Sequence, residues 1–374
     1  MKTIHDYLHA NQRFILDDIE KLVRAESPSN DKAAVDACGQ TLSQLFLDRL
    51  NCQPDVYPQA EQGDHLGFTI GEGKRQILIL GHFDTVWDIG RLSIRREEDK
   101  FYGPGILDMK AGLMQAVWAV KALNELNQLP SARIRFLCTS DEELGSPTSR
   151  ERIEQESVAS DVVLVVEPAT ATGSALKTAR KGSGRFYMHI TGRAAHAGNN
   201  PEDGVNAIEE LAHQVQYLHS LADTSRGTTV NVGMVQGGGP LNVVPETAEI
   251  GIDVRVSALD EGERLQNAIY NCQPHHSEAT LKVTGDMTRP PMERTQATEK
   301  LFLIAQKAAG ELGFELTEAS VGGGSDGNFA AAKGIPTLDG LGATGAAPHA
   351  EYEHIEIETV VPRTCMLAEL IRQV

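Results

Sequence analysis

Apolar residues recur at helical spacing over residues 4–50, broken at Ser27-Pro28-Ser29-Asn30, which predicts two helices joined by a loop. The rhythm then shortens to β-type runs. Residues 66–70 and 76–80 flank Gly71-Glu72-Gly73-Lys74, a spacing that predicts a hairpin whose second strand runs into Gly81-His82-Phe83-Asp84. Leu113, Met114, Val117, Trp118, Val120 and Leu123 mark one apolar helical face over 110–126. Residues 134–138 and 162–166 read as buried strands that end in Thr139-Ser140-Asp141-Glu142-Glu143 and Glu167-Pro168. Three apolar runs ending in imidazole or carboxylate groups, with helices between them, predict an α/β sheet with a site along the C-terminal edge of its strands.

A second pattern starts near residue 184. Strand 185–191, helix 205–221, strands 229–235 and 247–256, helix 260–270 and strand 279–284 follow one another in the order βαββαβ. That order is the split-βαβ, ferredoxin-like arrangement, and about 100 residues is a domain's worth of chain. After Pro290-Pro291 the α/β style resumes with helix 298–312, a glycine-rich turn at 322–324 and helix 358–373. The chain therefore divides into a first part, 1–180, an insert, 181–290, and a second part of the same large domain, 291–374.

Composition narrows the class. With 41% apolar and 23% charged residues the chain reads as an ordinary folded protein. Its 34 basic against 52 acidic residues leave a net charge of -18, which repels nucleic acid and anionic lipid. No apolar run approaches the roughly 18 residues of a membrane span, and Asp17, Asp18, Glu20 and Lys21 interrupt the opening where a signal peptide needs an apolar core. Cys38, Cys52, Cys138, Cys272 and Cys365 are odd in number and widely spaced, which fits reduced thiols in the cytoplasm better than a disulfide framework or a CxxC metal knuckle.

Several polar residues are candidates for chemistry. His82 and Asp84 are two apart at a strand end and point to the same side, so one can bind metal while the other orients it. Asp108, directly before a helix, reads equally as an N-cap. Glu142 and Glu143 are either a solvated acidic turn or a ligand beside a base. Glu167 closes an apolar strand, where an unpaired carboxylate is costly. His196 and His349 sit in Gly-, Ala- and Pro-rich loops that can present a side chain. Gly322-Gly323-Gly324-Ser325-Asp326 lacks the companion motifs of a nucleotide site.

Taken together, Gly81-His82-Phe83-Asp84-Thr85-Val86, Tyr102-Gly-Pro-Gly-Ile-Leu-Asp108-Met-Lys110, Asp141-Glu142-Glu143-Leu-Gly-Ser146, Glu167-Pro168, Gly192-Arg-Ala-Ala-His196-Ala-Gly198 and Gly322-Gly-Gly-Ser-Asp326 resemble the co-catalytic zinc peptidases and deacylases. That family includes glutamate carboxypeptidase, acetylornithine deacetylase and succinyl-diaminopimelate desuccinylase, and the resemblance runs over nearly the whole chain. It implies a zinc-exopeptidase-like mixed sheet with flanking helices and an inserted lid and dimerisation domain. It also implies two zinc ions, with cobalt or manganese as alternatives, one held by His82, Asp108 and Glu167 and the other by Asp108, Glu143 and His349. Glu142 falls on the family's general base, Asp84 on its metal-orienting aspartate and His196 on the histidine of the insert. Arg255, Asn242, Gly323, Gly324 and Ser325 fall on substrate-side positions.

The implied reaction is hydrolysis of an amide that releases a C-terminal amino acid, glutamate above all, from a peptide or N-acyl conjugate by a cytoplasmic homodimer; the alternative is an N-acyl amino-acid deacylase. Tyr102-Gly-Pro-Gly-Ile106 looks most like the glutamate carboxypeptidase branch. Pro348-His349-Ala-Glu-Tyr-Glu-His354 departs from that branch by being shorter.

Overall fold

The amino-terminal stretch folds as three helices, Ile4–Ala10, Gln12–Arg24 and Lys32–Leu50, where the spacing predicts two. The extra break falls at Asn11, whose side-chain amide donates to the Tyr7 carbonyl at 2.8 Å. A side chain that satisfies a terminal carbonyl competes with helix continuation, so asparagine ends a helix that apolar periodicity alone would carry through. In the computed structural model, which describes residues 3–374, these helices belong to the first of two compact units. That unit runs to Ala179 and takes in Arg294–Val321 and Ser325–Val374; the second is Arg180–Glu293 with Gly322–Gly324.

The first unit is built on a six-stranded mixed sheet in the order Asp55–Tyr57, His65–Ile70, Ala132–Thr139, Arg75–His82, Val162–Val165, Thr337–Leu338. Arg75–His82 runs parallel to the strands on both sides of it, whereas His65–Ile70 pairs antiparallel with Ala132–Thr139. The predicted hairpin between 66–70 and 76–80 therefore does not form. Burial is the reason. Ile77 and Ile79 pack into one core with Leu113 and Val117, and Leu78 and Leu80 into another with Ile153 and Phe329. A strand apolar on both faces belongs at the centre of a parallel sheet, where crossover helices cover both sides and neighbouring strands take both hydrogen-bonding edges.

A small antiparallel sheet in the same unit has no counterpart in the sequence pattern. Its order is Gly345–Ala346, His354–Glu356, Lys100–Tyr102, Arg95–Glu97, with His354 opposite Tyr102 and Ile355 opposite Phe101. Strands of two or three residues are too short to leave a periodic signal. This sheet nonetheless joins the C-terminal loop to the segment that precedes Asp108.

The second unit is a four-stranded antiparallel sheet in the order Thr229–Gly237, Thr247–Val256, Gly182–Thr191, Thr280–Arg289. Helices Ala207–Ser220 and Leu259–Tyr270 complete the βαββαβ order that the periodicity predicts. Phe186, Met188, Ile190, Ile250, Ile252 and Val254 form a core with Leu218, Leu265 and Ile269, while Tyr187 stays exposed. One face of the sheet is apolar and covered by helices; the other is open.

One glycine sets how closely helix and sheet approach in the first unit. A Cβ on Gly112, in helix Ala111–Glu125, would lie 2.0 Å from the Val166 carbonyl oxygen. Gly112→Ala should therefore force helix and strand apart and cost about 1–3 kcal/mol. Urea unfolding checks this, and a variant as stable as the parent would show that the contact relaxes freely.

Candidate metal centre

Five side chains converge at the C-terminal edge of the central sheet of the first unit. His82 ends the strand Arg75–His82, Glu167 lies just beyond Val162–Val165, and Glu143 sits in the single 3-10 turn Glu142–Leu144 after Ala132–Thr139. Parallel strands bring these three ends together. Asp108 comes from the irregular turn Ile106–Lys110, which Gly105 enters at φ 67 and which holds a cis peptide between Asp108 and Met109. His349 comes from the loop that the small sheet brings up, at φ 61, a conformation that non-glycine residues rarely adopt.

Asp108 stands between the two imidazoles. Its Oδ1 lies 3.1 Å from His82 Nε2, and its Oδ2 lies 3.3 Å from His349 Nε2. On one side Glu167 Oε1 is 3.6 Å from His82 Nε2; on the other Glu143 Oε1 is 3.1 Å from His349 Nε2. Burial opposes ionisation of Asp108, but the hydrogen bonds from His349 and His82 outweigh it and hold the carboxyl well below the usual carboxylate range. His349 is pushed up to about 10 by its bonds to Asp108 and Glu143. His82 is raised as well: burial works against its charge, but Asp108, Asp84 and Glu167 prevail. Burial raises Glu143.

Asp84 does more than the sequence suggests. Its main-chain carbonyl, 3.1 Å from His82 Nδ1, is nearer than its carboxylate at 3.4 Å, and an acceptor there assigns the proton to Nδ1. The buried carboxylate accepts the backbone N–H groups of Glu142 and Glu143, both at 3.2 Å, and the Ser29 hydroxyl at 2.7 Å. One aspartate thus aims an imidazole and anchors the turn that carries both glutamates.

A model of peptidase family M20/M25/M40 matches residues 78–373, the span that contains His82, Asp84, Asp108, Glu142, Glu143, Glu167 and His349. The chain belongs to peptidase family M20/M25/M40. It is similar to carboxypeptidase G2 from Pseudomonas sp. (strain RS-16), with 31% identity over 96% of this chain and 89% of that protein. It is also similar to acetylornithine deacetylase from Pasteurella multocida (strain Pm70), with 28% identity over 66% of this chain and 69% of that protein. Among solved structures, the aminopeptidase PepT from Bacillus cereus ATCC 10987 superposes with a TM-score of 0.80 at 23% identity, covering 97% of this chain and 98% of that one. The protein is accordingly a metallohydrolase of the M20 family.

The donor set of this M20 hydrolase suits a borderline divalent cation. Ligand atoms of His82, Asp108 and Glu143 lie within 4.8 Å of one another, and imidazoles with carboxylates and no thiolate match zinc, cobalt or manganese.

The other site residues that the resemblance implies lie elsewhere. In the second unit His196 Nδ1 accepts N–H groups from Gly198 and Asn199 at 3.1 and 3.0 Å, which leaves Nε2 as the donor. Asn242 belongs to the neighbouring loop: its carbonyl accepts Ala197 N–H, and His196 and Val243 form a β-bridge. Arg255 forks onto Asp253 at 3.0 and 3.1 Å. The carbonyls of Gly323 and Gly324 accept from Arg180. Ser325, in the first unit, is buried with its hydroxyl donated to Asp339 at 2.6 Å, so that hydroxyl is committed to the fold.

Glu353 belongs to none of the motifs that mark the other site residues. This carboxylate is 1% exposed and accepts the backbone N–H groups of Gly105, Leu107 and Asp108 and the indole N–H of Trp87, at 2.7 to 3.1 Å. Burial pushes its pKa up to about 7 against those donors. The only sequence signal is its place four residues after His349.

Glu353→Ala should orphan four donors. We expect amide exchange at Gly105, Leu107 and Asp108 to accelerate about tenfold or more and Trp87 emission to shift to the red. Unchanged exchange would mean that the loop holds itself.

Raised imidazole pKa values also set a pH trend. The contribution of His349 to folding is complete below the ordinary histidine value of about 6.5 and is lost as pH rises through about 10. Chelator-treated protein should lose thermal stability between pH 7 and pH 10, and His349→Asn should flatten that decline. An equally steep decline in the variant would place its cause elsewhere.

Proposed function

We propose that this M20 hydrolase cleaves an amide bond to release a C-terminal amino acid, glutamate in this reading, from a peptide or N-acyl conjugate. The observation that carries the proposal is the pair of imidazole–carboxylate clusters sharing Asp108, with Glu142 beside Glu143 on a turn fixed by Asp84. His82, Asp108 and Glu167 would hold one zinc ion and Asp108, Glu143 and His349 the other, with cobalt or manganese as substitutes. Bound there, such ions would lower the pKa of water and polarise the scissile carbonyl.

The chain's own residues supply the rest. Glu142 takes a proton from the attacking water and delivers it to the departing amine as the amide C–N bond breaks and the water oxygen joins the acyl carbon. The Nε2–H of His196 donates to the developing oxyanion. Arg255, Asn242 and the backbone at Gly323 and Gly324 hold the substrate carboxylate; Nε and Nη2 of Arg255 are bonded to Asp253, so Nη1 is the donor assigned to substrate. The inserted unit serves as lid and dimerisation domain. Its edge strand Thr229–Gly237 supports this, since it exposes Met234 and Val235 as a pairing surface.

Carboxypeptidase G2, which this chain matches over most of its length, favours release of a C-terminal residue. The similarity to acetylornithine deacetylase supports a second reading, deacylation of an N-acyl amino acid, by the same chemistry. A cytoplasmic setting is consistent with five cysteines that form no disulfide, and no helix among the described residues is long and apolar enough to cross a membrane.

The role split between the adjacent glutamates is testable. Glu142→Gln should retain two metal ions per chain and lose at least about 10²-fold in turnover on peptides and N-acyl amino acids, whereas Glu143→Gln should lose metal. Metal analysis and free-amine release on the same preparations distinguish the two, and equal metal loss in both variants would refute the assignment.

A further inference from the structure

Arg363, in the C-terminal helix Ile357–Gln373, is a buried cation that the proposed mechanism does not use. It is 2% exposed, and no carboxylate among the described residues pairs with it. Its bonds go to main chain instead. Nε donates to the Gly342 carbonyl and Nη2 to the Gly340 carbonyl, both at 2.6 Å, and Nη1 donates to the Ser174 carbonyl at 3.3 Å. Burial lowers its pKa to about 10, so the side chain stays charged at neutral pH without a counterion. An unpaired buried charge is costly, and neutral donors could satisfy the same carbonyls without that cost. What the guanidinium adds is a rigid planar fork that fixes two carbonyls two residues apart, and a third from another segment, at once.

The carbonyls it holds belong to the segments that border Glu167. The edge strand Thr337–Leu338 is followed by Gly340 at φ 78, which turns the chain out of the ladder. Past that turn the segment runs on beside the chain that carries Glu167. Leu341 N–H donates to the Val165 carbonyl at 3.2 Å, Gly342 N–H to the Glu167 carbonyl at 2.9 Å, and the Ala343 carbonyl accepts Ala169 N–H at 3.0 Å. A Cβ on Gly342 would lie 2.2 Å from the Val166 carbonyl oxygen and 2.9 Å from that of Glu167, so backbone meets backbone with no side chain between. Ser174 lies on the chain that leaves Glu167. One side chain therefore ties both segments, all within the first unit.

We propose that Arg363 is a positioning residue for Glu167: its guanidinium fixes the carbonyls of Gly340 and Gly342, the Gly342 N–H fixes the main chain of Glu167, and the Glu167 carboxylate is thereby held where it can ligate metal beside His82. This rests on the reading of Glu167 as a metal ligand. A residue that served only the core would change stability and leave the metal affinity of the folded protein where it was. A residue that aims a ligand changes that affinity, and only through the ligand it aims.

The test is a cycle of chelator-treated variants titrated with cobalt, reading the visible absorbance of each bound ion. Glu167→Gln and Glu143→Gln mark the ion to which each glutamate contributes. Arg363→Met should weaken the Glu167-dependent ion about tenfold or more, with little effect on the Glu143-dependent ion, and should weaken it no further in the Glu167→Gln background. Arg363→Lys, which keeps the charge and loses the fork, should fall between the parent and Arg363→Met. Parent-like affinities in folded Arg363→Met, or losses that simply add to those of Glu167→Gln, overturn the positioning role and leave Glu167 as a ligand. A Glu167→Gln protein that binds both ions as the parent does overturns the ligand reading and the positioning role with it. Should neither Arg363 variant fold, the parent decides: cobalt loading should slow amide exchange at Gly342 about tenfold, and unchanged exchange there overturns the proposal.

Discussion

The carboxylate of Asp108, placed between two imidazoles, is the constraint on which the rest of the centre depends. One oxygen faces His82 and the other faces His349, and the same Nε2 atom of each imidazole also has a glutamate beside it. Three carboxylates this close repel one another strongly in a buried setting. Two imidazoles that hold protons offset that repulsion in the metal-free protein, and cations in the same positions would offset it more completely. The arrangement is therefore electrostatically incomplete without positive charge, which is the physical basis for reading it as a metal centre.

Holding that arrangement requires backbone as well as side chains. Asp84 and Glu353 are both buried carboxyl groups, and both accept N–H groups from the turns that carry Glu142, Glu143 and Asp108. Asp84 fixes the Glu142–Glu143 turn and Glu353 fixes the turn at Asp108. Several hydrogen bonds converging on one carboxyl group are directional and reinforce one another, so two such groups can position loops that have no regular secondary structure of their own. Loops restrained in this way can carry chemistry without becoming part of the apolar core.

The two units divide the work by composition. The first has a parallel centre covered on both faces and places its polar groups at one edge, where strand ends and loops meet. The second is an antiparallel sheet covered on one face only, which leaves an open side and an exposed edge strand. The His196 and Asn242 loops of the second unit are joined by a β-bridge, so two residues that the resemblance assigns separately are delivered by a single local structure.

Much of this was legible in the sequence, because short-range pattern records which faces are buried. The apolar runs ending in His82, Glu143 and Glu167 are legible as unbroken stretches of core residues, and the helical face after Asp108 and the βαββαβ order of the insert follow from periodicities of 3.6 and 2. Pairing was not legible: the interposition of Ala132–Thr139 between His65–Ile70 and Arg75–His82 depends on burial from both faces, a property of the assembled layers. The break at Asn11 depends on one side-chain hydrogen bond. The small sheet that carries His349 and Glu353 to Asp108 has strands of two and three residues, too few for any period, and its partners are some 250 residues apart in the chain. The sequence by itself determined which groups could do chemistry; only the tertiary structure decided which of them meet, because long-range contacts are set by how whole elements pack and not by the residues on either side of each one.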